Sequence, residues 1–132
     1  MQLSTVRILV VDDYDVFRQF VVEVLVKRPE LQVVGEASDG LEALQKAVEL
    51  RPDLILLDIG LPSLNGIEVA RQIRSLVPES KIIFLTQESS SDLMQEALSL
   101  GARGYVTKNM VLTDLFAAVE TVLLGRTFVS NP

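Results

Sequence analysis

The sequence predicts an α/β fold, a parallel β-sheet covered by helices on both faces. Three observations predict it. Strand-like and helix-like apolar patterns alternate five times along 132 residues, and such alternation calls for a parallel sheet with helical crossovers. The run LILL at 54–57 is apolar without interruption, as a strand buried on both faces must be. Proline or glycine punctuates the end of each helical stretch.

The elements follow in order. Val6 to Val11 is the first strand. Phe17, Phe20, Val21, Val24 and Leu25 then recur at helical spacing, and Pro29 stops that helix. Leu31 to Ala37 reads as the second strand, and Asp39-Gly40 as a turn. Leu41, Leu44, Ala47 and Val48 form the second helical stripe, ended by Pro52. Leu54 to Leu57 is the third strand, followed by a helix carrying Val69, Ile73, Leu76 and Val77 before Pro78. Ile82 to Leu85 is the fourth strand, and Leu93, Met94, Ala97 and Leu98 the fourth stripe, stopped at Gly101. Gly104 to Val106 is a short fifth strand. Leu112, Leu115, Phe116, Val119 and Leu123 make the fifth helix, with Gly125 just past its end. The final GRTFVSNP reads as a tail leaving the domain.

Composition narrows the chemistry. At 132 residues the chain holds one domain. A net charge of −6 repels phosphate backbones, so nucleic-acid binding by this chain alone is not expected. There is no His and no Cys. That removes imidazole-activated nucleophiles and nearly all zinc-site chemistry, and it makes a reducing cytoplasm the default compartment. The start, MQLSTVRILVVDD, lacks the basic residues and cleavage site of a secretory signal. No apolar run reaches membrane-spanning length. Carboxylates, hydroxyls, lysine and a hard metal ion remain.

In parallel sheets of this kind, ligands sit beyond the carboxyl ends of the strands. Asp12 and Asp13 follow the first strand, Asp58 the third, Thr86 the fourth and Lys108 the fifth. Only the second strand ends without a group suited to phosphoryl or metal chemistry. Taken singly, each has a plainer reading. Asp13 or Asp15 could cap a helix, Asp58 could serve a turn, Lys108 could be a solvated lysine, and Tyr105 a half-buried strand aromatic. Four strand ends agreeing by accident is the weaker explanation.

VVDD at 10–13, PDLILLDIGLPSLNG at 52–66, FLT at 84–86 and GARGYVTK at 101–108 together resemble the receiver domain of bacterial two-component response regulators. GEASDGLEAL and VETVLLGRTFVS are most similar to regulators with a C-terminal LuxR-type helix-turn-helix. The resemblance implies a flavodoxin-like, doubly wound sheet of five strands in the order 2-1-3-4-5 with five helices. It implies a receiver domain over residues 1–126, with 127–132 starting a linker to an absent DNA-binding output domain. Asp58 is then the phosphoacceptor, taking a phosphoryl group from a sensor histidine kinase with Mg²⁺ as cofactor. Asp13 and Asp58 would be direct metal ligands, Asp12 a ligand through water, and the Gly60 backbone carbonyl a further ligand. Lys108 and Thr86 would contact the phosphoryl oxygens, and Thr86 and Tyr105 would form the switch. The polar loop QESSSD at 87–92 suits a segment that must move. The implied protein is a cytoplasmic regulator of transcription and not an enzyme, with homodimerisation as family precedent.

Three positions depart from the usual pattern. Gln87 stands where a small residue is common, and its longer side chain would crowd the path to Asp58. Asn109 replaces a common proline, so a trans peptide is expected before it. Gly60 replaces a larger residue, which would open the site to water and make the lifetime of the phosphorylated form sensitive to Gly60 and Glu88. Three rival functions stand beside this one. A haloacid-dehalogenase-like phosphatase would use Asp13 as nucleophile and Asp15 as acid, but the hydroxyl residue expected after the second Asp is missing. A flavodoxin-like FMN carrier would place acids against the cofactor's phosphate. A degenerate receiver that is never phosphorylated has only Gln87 in its favour.

Overall fold

The computed structural model describes residues 5–87 and 90–130. The elements are β1 (Val6–Val11), α1 (Asp15–Leu25), β2 (Leu31–Ala37), α2 (Gly40–Leu50), β3 (Leu54–Leu57), α3 (Gly66–Leu76), β4 (Lys81–Thr86), α4 (Ser91–Ser99), β5 (Gly104–Thr107), α5 (Val111–Leu123) and β6 (Phe128–Val129). A single 3₁₀ turn, Lys108–Met110, links β5 to α5. The sheet order is β2-β1-β3-β4-β5-β6, and every strand pair is parallel. The expected order of the first five strands is therefore the observed one.

The sixth strand is an addition to the expected five. It forms where the sequence suggested a departing tail. Gly125, at φ +81°, takes the left-handed conformation that favours glycine just past a helix end and turns the chain back along β5. The Phe128 N–H then donates to the Arg103 carbonyl at 3.0 Å and the Ser130 N–H to the Tyr105 carbonyl at 2.9 Å. Phe128 and Val129 pack into the layers on opposite sides of the sheet, following the period-two alternation of a strand.

Alternation also builds the core. On β1, Leu9 and Val11 face one layer with α2, α3 and α4, while Ile8 and Val10 face the other with α1 and α5. All four residues of β3 are fully buried, as its uninterrupted apolar run requires. The helix stripes are real but rotated in places. On α5, Val111, Leu115, Ala118, Val119 and Val122 face the sheet, and Leu112 points to solvent. On α2, Ala43 and Ala47 lie at the contact, and Leu41 and Val48 are exposed. Small residues there bring α2 close to the sheet and leave the larger side chains at its margins.

Caps fix where the helices start. Asp39 accepts from the Glu42 N–H at 2.8 Å, and the Glu42 side chain accepts in return from the Ser38 N–H at 2.8 Å, close to a reciprocal capping box. Asn65 caps α3 by accepting from the Glu68 N–H, and Ser90 caps α4 by accepting from the Leu93 N–H. Among the described residues no helix is long and apolar enough to cross a membrane.

Candidate functional site

The register of the sheet brings the acids together. Val11 lies opposite Leu57, so the next residues, Asp12 and Asp58, leave adjacent strands side by side. The Asp58 N–H donates to the Val11 carbonyl at 3.1 Å, and the Asp12 N–H to the Ala37 carbonyl at 3.0 Å. Oxygens of Asp12, Asp13 and Asp58 all lie within 4.8 Å of one another. Asp12 and Asp58 are 3% and 7% exposed, while Asp13 is open to solvent.

Lys108 reaches into this cluster from the end of β5. Its Nζ donates to Asp12 Oδ2 at 2.8 Å and to Asp58 Oδ2 at 3.3 Å. The same ammonium stands 4.7 Å from the centre of the Phe17 ring of α1, within cation–π range. Burial is the largest single influence on Lys108 and favours losing the proton, but the hydrogen bonds and charges of Asp12 and Asp58 outweigh it and raise the pKa. For Asp58, burial pushes the carboxyl above its ordinary value; the Lys108 charge opposes this and the Asp12 charge adds to it.

Asp12, Asp13, Asp58, Thr86 and Lys108 are thus gathered on one rim. Asp13, Asp58, Gly60, Thr86, Gln87 and Lys108 line a common cavity of about 380 Å³. Thr86, expected just beyond β4, is its last residue, 2% exposed and paired with Thr107. Gly60 forms an open wall, where an added Cβ would meet no atom within 4 Å. Gln87 is exposed at the cavity edge. Glu88 lies outside the described residues. Tyr105, read from its position alone as half-buried, is 2% exposed and packs inward in the layer that holds Leu93 and Met94. No peptide bond among the described residues is cis, so the bond before Asn109 is trans as expected.

The plainer reading of the first acids fails locally. Tyr14 is the N-cap of α1 with no side-chain bond. Asp12 Oδ1 instead accepts from the Tyr14 N–H at 2.9 Å. With Lys108 on the other oxygen, both Asp12 oxygens are engaged within the protein. Asp15 lies in the first turn of α1 and pairs with Arg18 at 2.8 Å, outside the cavity.

The donor set fits a hard divalent cation. Three carboxylates offer oxygen only, and the cavity leaves space for retained waters, the mixture that Mg²⁺ prefers. The ammonium between Asp12 and Asp58 already shows that this pocket favours positive charge. Three contributors escaped the sequence reading. In the sequence Phe17 stands as one member of a helix stripe. Arg18 carries no motif, although its Nη1 donates to the Asp12 carbonyl at 2.8 Å. Gly66 stands only as the end of a motif, although a Cβ there would lie 2.0 Å from the Asp58 carbonyl oxygen. A basic residue one turn into the helix that follows an acidic loop was the available signal for Arg18.

Comparison with known proteins agrees with this geometry. Residues 8–120 match the family described as the response regulator receiver domain. The chain is 40% identical over 126 residues to the DNA-binding transcriptional activator DevR/DosR of Mycobacterium tuberculosis, covering 96% of this chain and 58% of that protein. It is 41% identical over 120 residues to the transcriptional regulatory protein LnrK of Bacillus subtilis, covering 91% and 54%. The chain therefore spans little more than half the length of these relatives. Among solved structures, a LuxR-family two-component response regulator from Aurantimonas sp. SI85-9A1 superposes with a TM-score of 0.90 at 37% identity, covering 95% of this chain and 89% of that one. The signal receiver domain of the putative response regulator NarL from Mycobacterium tuberculosis does so with a TM-score of 0.88 at 33% identity, covering 93% and 99%. With the 2-1-3-4-5 sheet, the acidic rim and these relatives in agreement, the chain belongs to the response regulator receiver domain family, among receivers of the LuxR/NarL type.

Proposed function

We propose that this receiver accepts a phosphoryl group on Asp58 from the phosphohistidine of a sensor kinase, in a Mg²⁺-dependent reaction, and changes conformation to control a DNA-binding output domain. The observation that carries the reading is the meeting of Asp12, Asp13 and Asp58 within 4.8 Å, with Lys108 bridging Asp12 and Asp58. Such a cluster is unfavourable as a purely structural feature and useful around a transferring phosphoryl group.

The residues divide the work. An Asp58 carboxylate oxygen forms the new O–P bond while the donor's P–N bond breaks, its electron pair leaving with the imidazole. Lys108, moving from Asp58 to a phosphoryl oxygen, offsets developing negative charge. The Thr86 hydroxyl donates to a second oxygen. Asp13, Asp58 and the Gly60 carbonyl would hold the metal. Asp12, whose oxygens are already engaged by Tyr14 and Lys108, acts through water. When bound, Mg²⁺ supplies charge neutralisation for the approach of one anion to another. Thr86 and Tyr105 carry the change of state to the face formed by α4, β5 and α5. The receiver unit is assigned to residues 1–126 together with strand β6, which pairs with β5, with an output domain placed after it, and the working compartment is the cytoplasm. Homodimerisation through this or a neighbouring face completes the assignment.

The phosphatase alternative loses its acid, because Asp15 is turned to Arg18 and outside the cavity. Incubation with a small phosphodonor and Mg²⁺, read by intact mass, tests the proposal. The wild type gains one phosphoryl group, and Asp58→Ala gains none. Equal labelling of the variant would remove Asp58 from its role.

A further inference from the structure

Strand β2 ends in no group that faces the cavity, yet it holds the acidic loop from behind. The Asp12 backbone is held on both sides of its Cα. Its N–H donates to the Ala37 carbonyl at the end of β2. Its carbonyl accepts from Arg18 Nη1 at 2.8 Å. Arg18 Nε in turn donates to Glu36 Oε1 on β2 at 2.9 Å, and the Gln19 side chain donates to the same oxygen at 3.0 Å. A register shift between Ile8 and Leu9 skips Val34 and sets Glu36 opposite Val10, close to the acidic loop. A bulge of this kind re-aims the side chains that follow it.

The Asp12 carbonyl belongs to the peptide unit that leads into Asp13, so its orientation sets where the Asp13 carboxylate points. The Arg18 side chain is 14% exposed, whereas its partner Asp15 is 79% exposed. An exposed pair of the latter kind contributes little. The part-buried bond to the loop carbonyl has a different consequence, because a planar guanidinium can bridge two acceptors at fixed angles where an ammonium cannot.

We infer that Arg18, anchored by Glu36, is a positioning residue that fixes the Asp12–Asp13 peptide for cation binding. This rests on the proposed Mg²⁺ site and adds to it a supporting arm from β2. Groups behind the direct ligands commonly govern metal affinity as strongly as this arrangement requires.

Calorimetric titration with MgCl₂ of the wild type, Arg18→Met, Arg18→Lys and Glu36→Gln tests the inference. Removing a positive charge near the acids would by itself tighten Mg²⁺ binding. Positioning demands the opposite, a loss of about tenfold in Arg18→Met. Arg18→Lys, which keeps the charge and loses the fork, weakens binding nearly as much. Glu36→Gln weakens it less, in the same direction. The Asp13 amide resonance shifts in the Mg²⁺-free spectra of all three. A purely structural Arg18 would lower the thermal midpoint and leave Mg²⁺ affinity within twofold of wild type, which would overturn the inference. If Arg18→Met fails to fold, Arg18→Lys decides the matter, because it keeps the charge, whereas Glu36→Gln also removes a negative charge and weakens binding by that alone. A wild type that binds no Mg²⁺ would sink the site reading itself, whereas a binding wild type with unaltered variants sinks only the role of Arg18.

Discussion

Asp58 shows how one side chain trades stability for chemistry. Its pKa is raised, first by burial, with the Lys108 charge opposing and the Asp12 charge adding. Folding therefore disfavours its ionised form. The cost is fully present above the raised folded-state pKa and vanishes as pH falls below the ordinary value for Asp. Asn has nearly the same shape and no charge. Asp58→Asn is accordingly expected to be more stable than wild type at pH 7 without Mg²⁺, by about 1 kcal/mol or roughly 3–5 °C in thermal midpoint. Its advantage should shrink through the acid range and disappear below about pH 3.9. Melting curves across pH check the sign; a variant less stable at pH 7 would mean that the Lys108 pair outweighs the burial cost. Lys108 stays paired with Asp12 at 2.8 Å in either case, so the variant does not strand a buried cation.

At the scale of elements, the loop from β3 to α3 depends on a missing side chain. A Cβ at Gly66 would fall 2.0 Å from the Asp58 carbonyl oxygen and 2.8 Å from the Ile59 Cα, and the Gly66 N–H donates to the Ile59 carbonyl at 2.7 Å. Gly66→Ala must push the Asp58 loop or the start of α3 aside. It is expected to cost about 1–3 kcal/mol and to slow phosphorylation of Asp58. Chemical denaturation and the mass assay check the two effects separately, and a variant with wild-type stability would show that the loop yields freely. Strand β6 depends on a smaller contact, the Ser130 hydroxyl donating to Asp114 Oδ2 of α5 at 2.8 Å. Ser130→Ala should cost about 1 kcal/mol and speed hydrogen exchange at the Phe128 and Ser130 amides, with unchanged exchange dissociating this bond from β6. The first five strands were legible because apolar runs and breakers mark them locally. Strand β6 was not, because two residues carry no periodicity and their pairing depends on a glycine turn and a free β5 edge. The rotated stripes on α2 and α5 were hidden for a related reason: Leu41 and Leu112 are as apolar as the residues that do face the sheet.

For the molecule as a whole, the acids, Thr86 and Lys108 could be gathered from the sequence because topology does the gathering. In a parallel sheet, strand ends far apart in the chain share one rim. What topology does not reveal is support from behind the rim, such as Phe17 under Lys108 or Arg18 on the Asp12 carbonyl, since those contacts depend on helix rotation and rotamer. The net charge of −6 adds a global effect that must be separated from the local one. Any salt screens self-repulsion, whereas a ligand that binds the folded state alone stabilises it by RT ln(1 + [L]/Kd). MgCl₂ at a hundred times its dissociation constant should add about 2.7 kcal/mol, roughly 10 °C for a domain of this size. NaCl at equal ionic strength should give much less. Asp13 is the decisive position, because it is exposed and its neutralisation costs the fold little. Asp13→Asn should melt near the wild-type temperature in NaCl and lose most of the Mg²⁺-specific rise. If NaCl matched MgCl₂ in the wild type, the stabilisation would be screening alone; if Asp13→Asn kept the full Mg²⁺-specific rise, the ion would bind outside the three carboxylates.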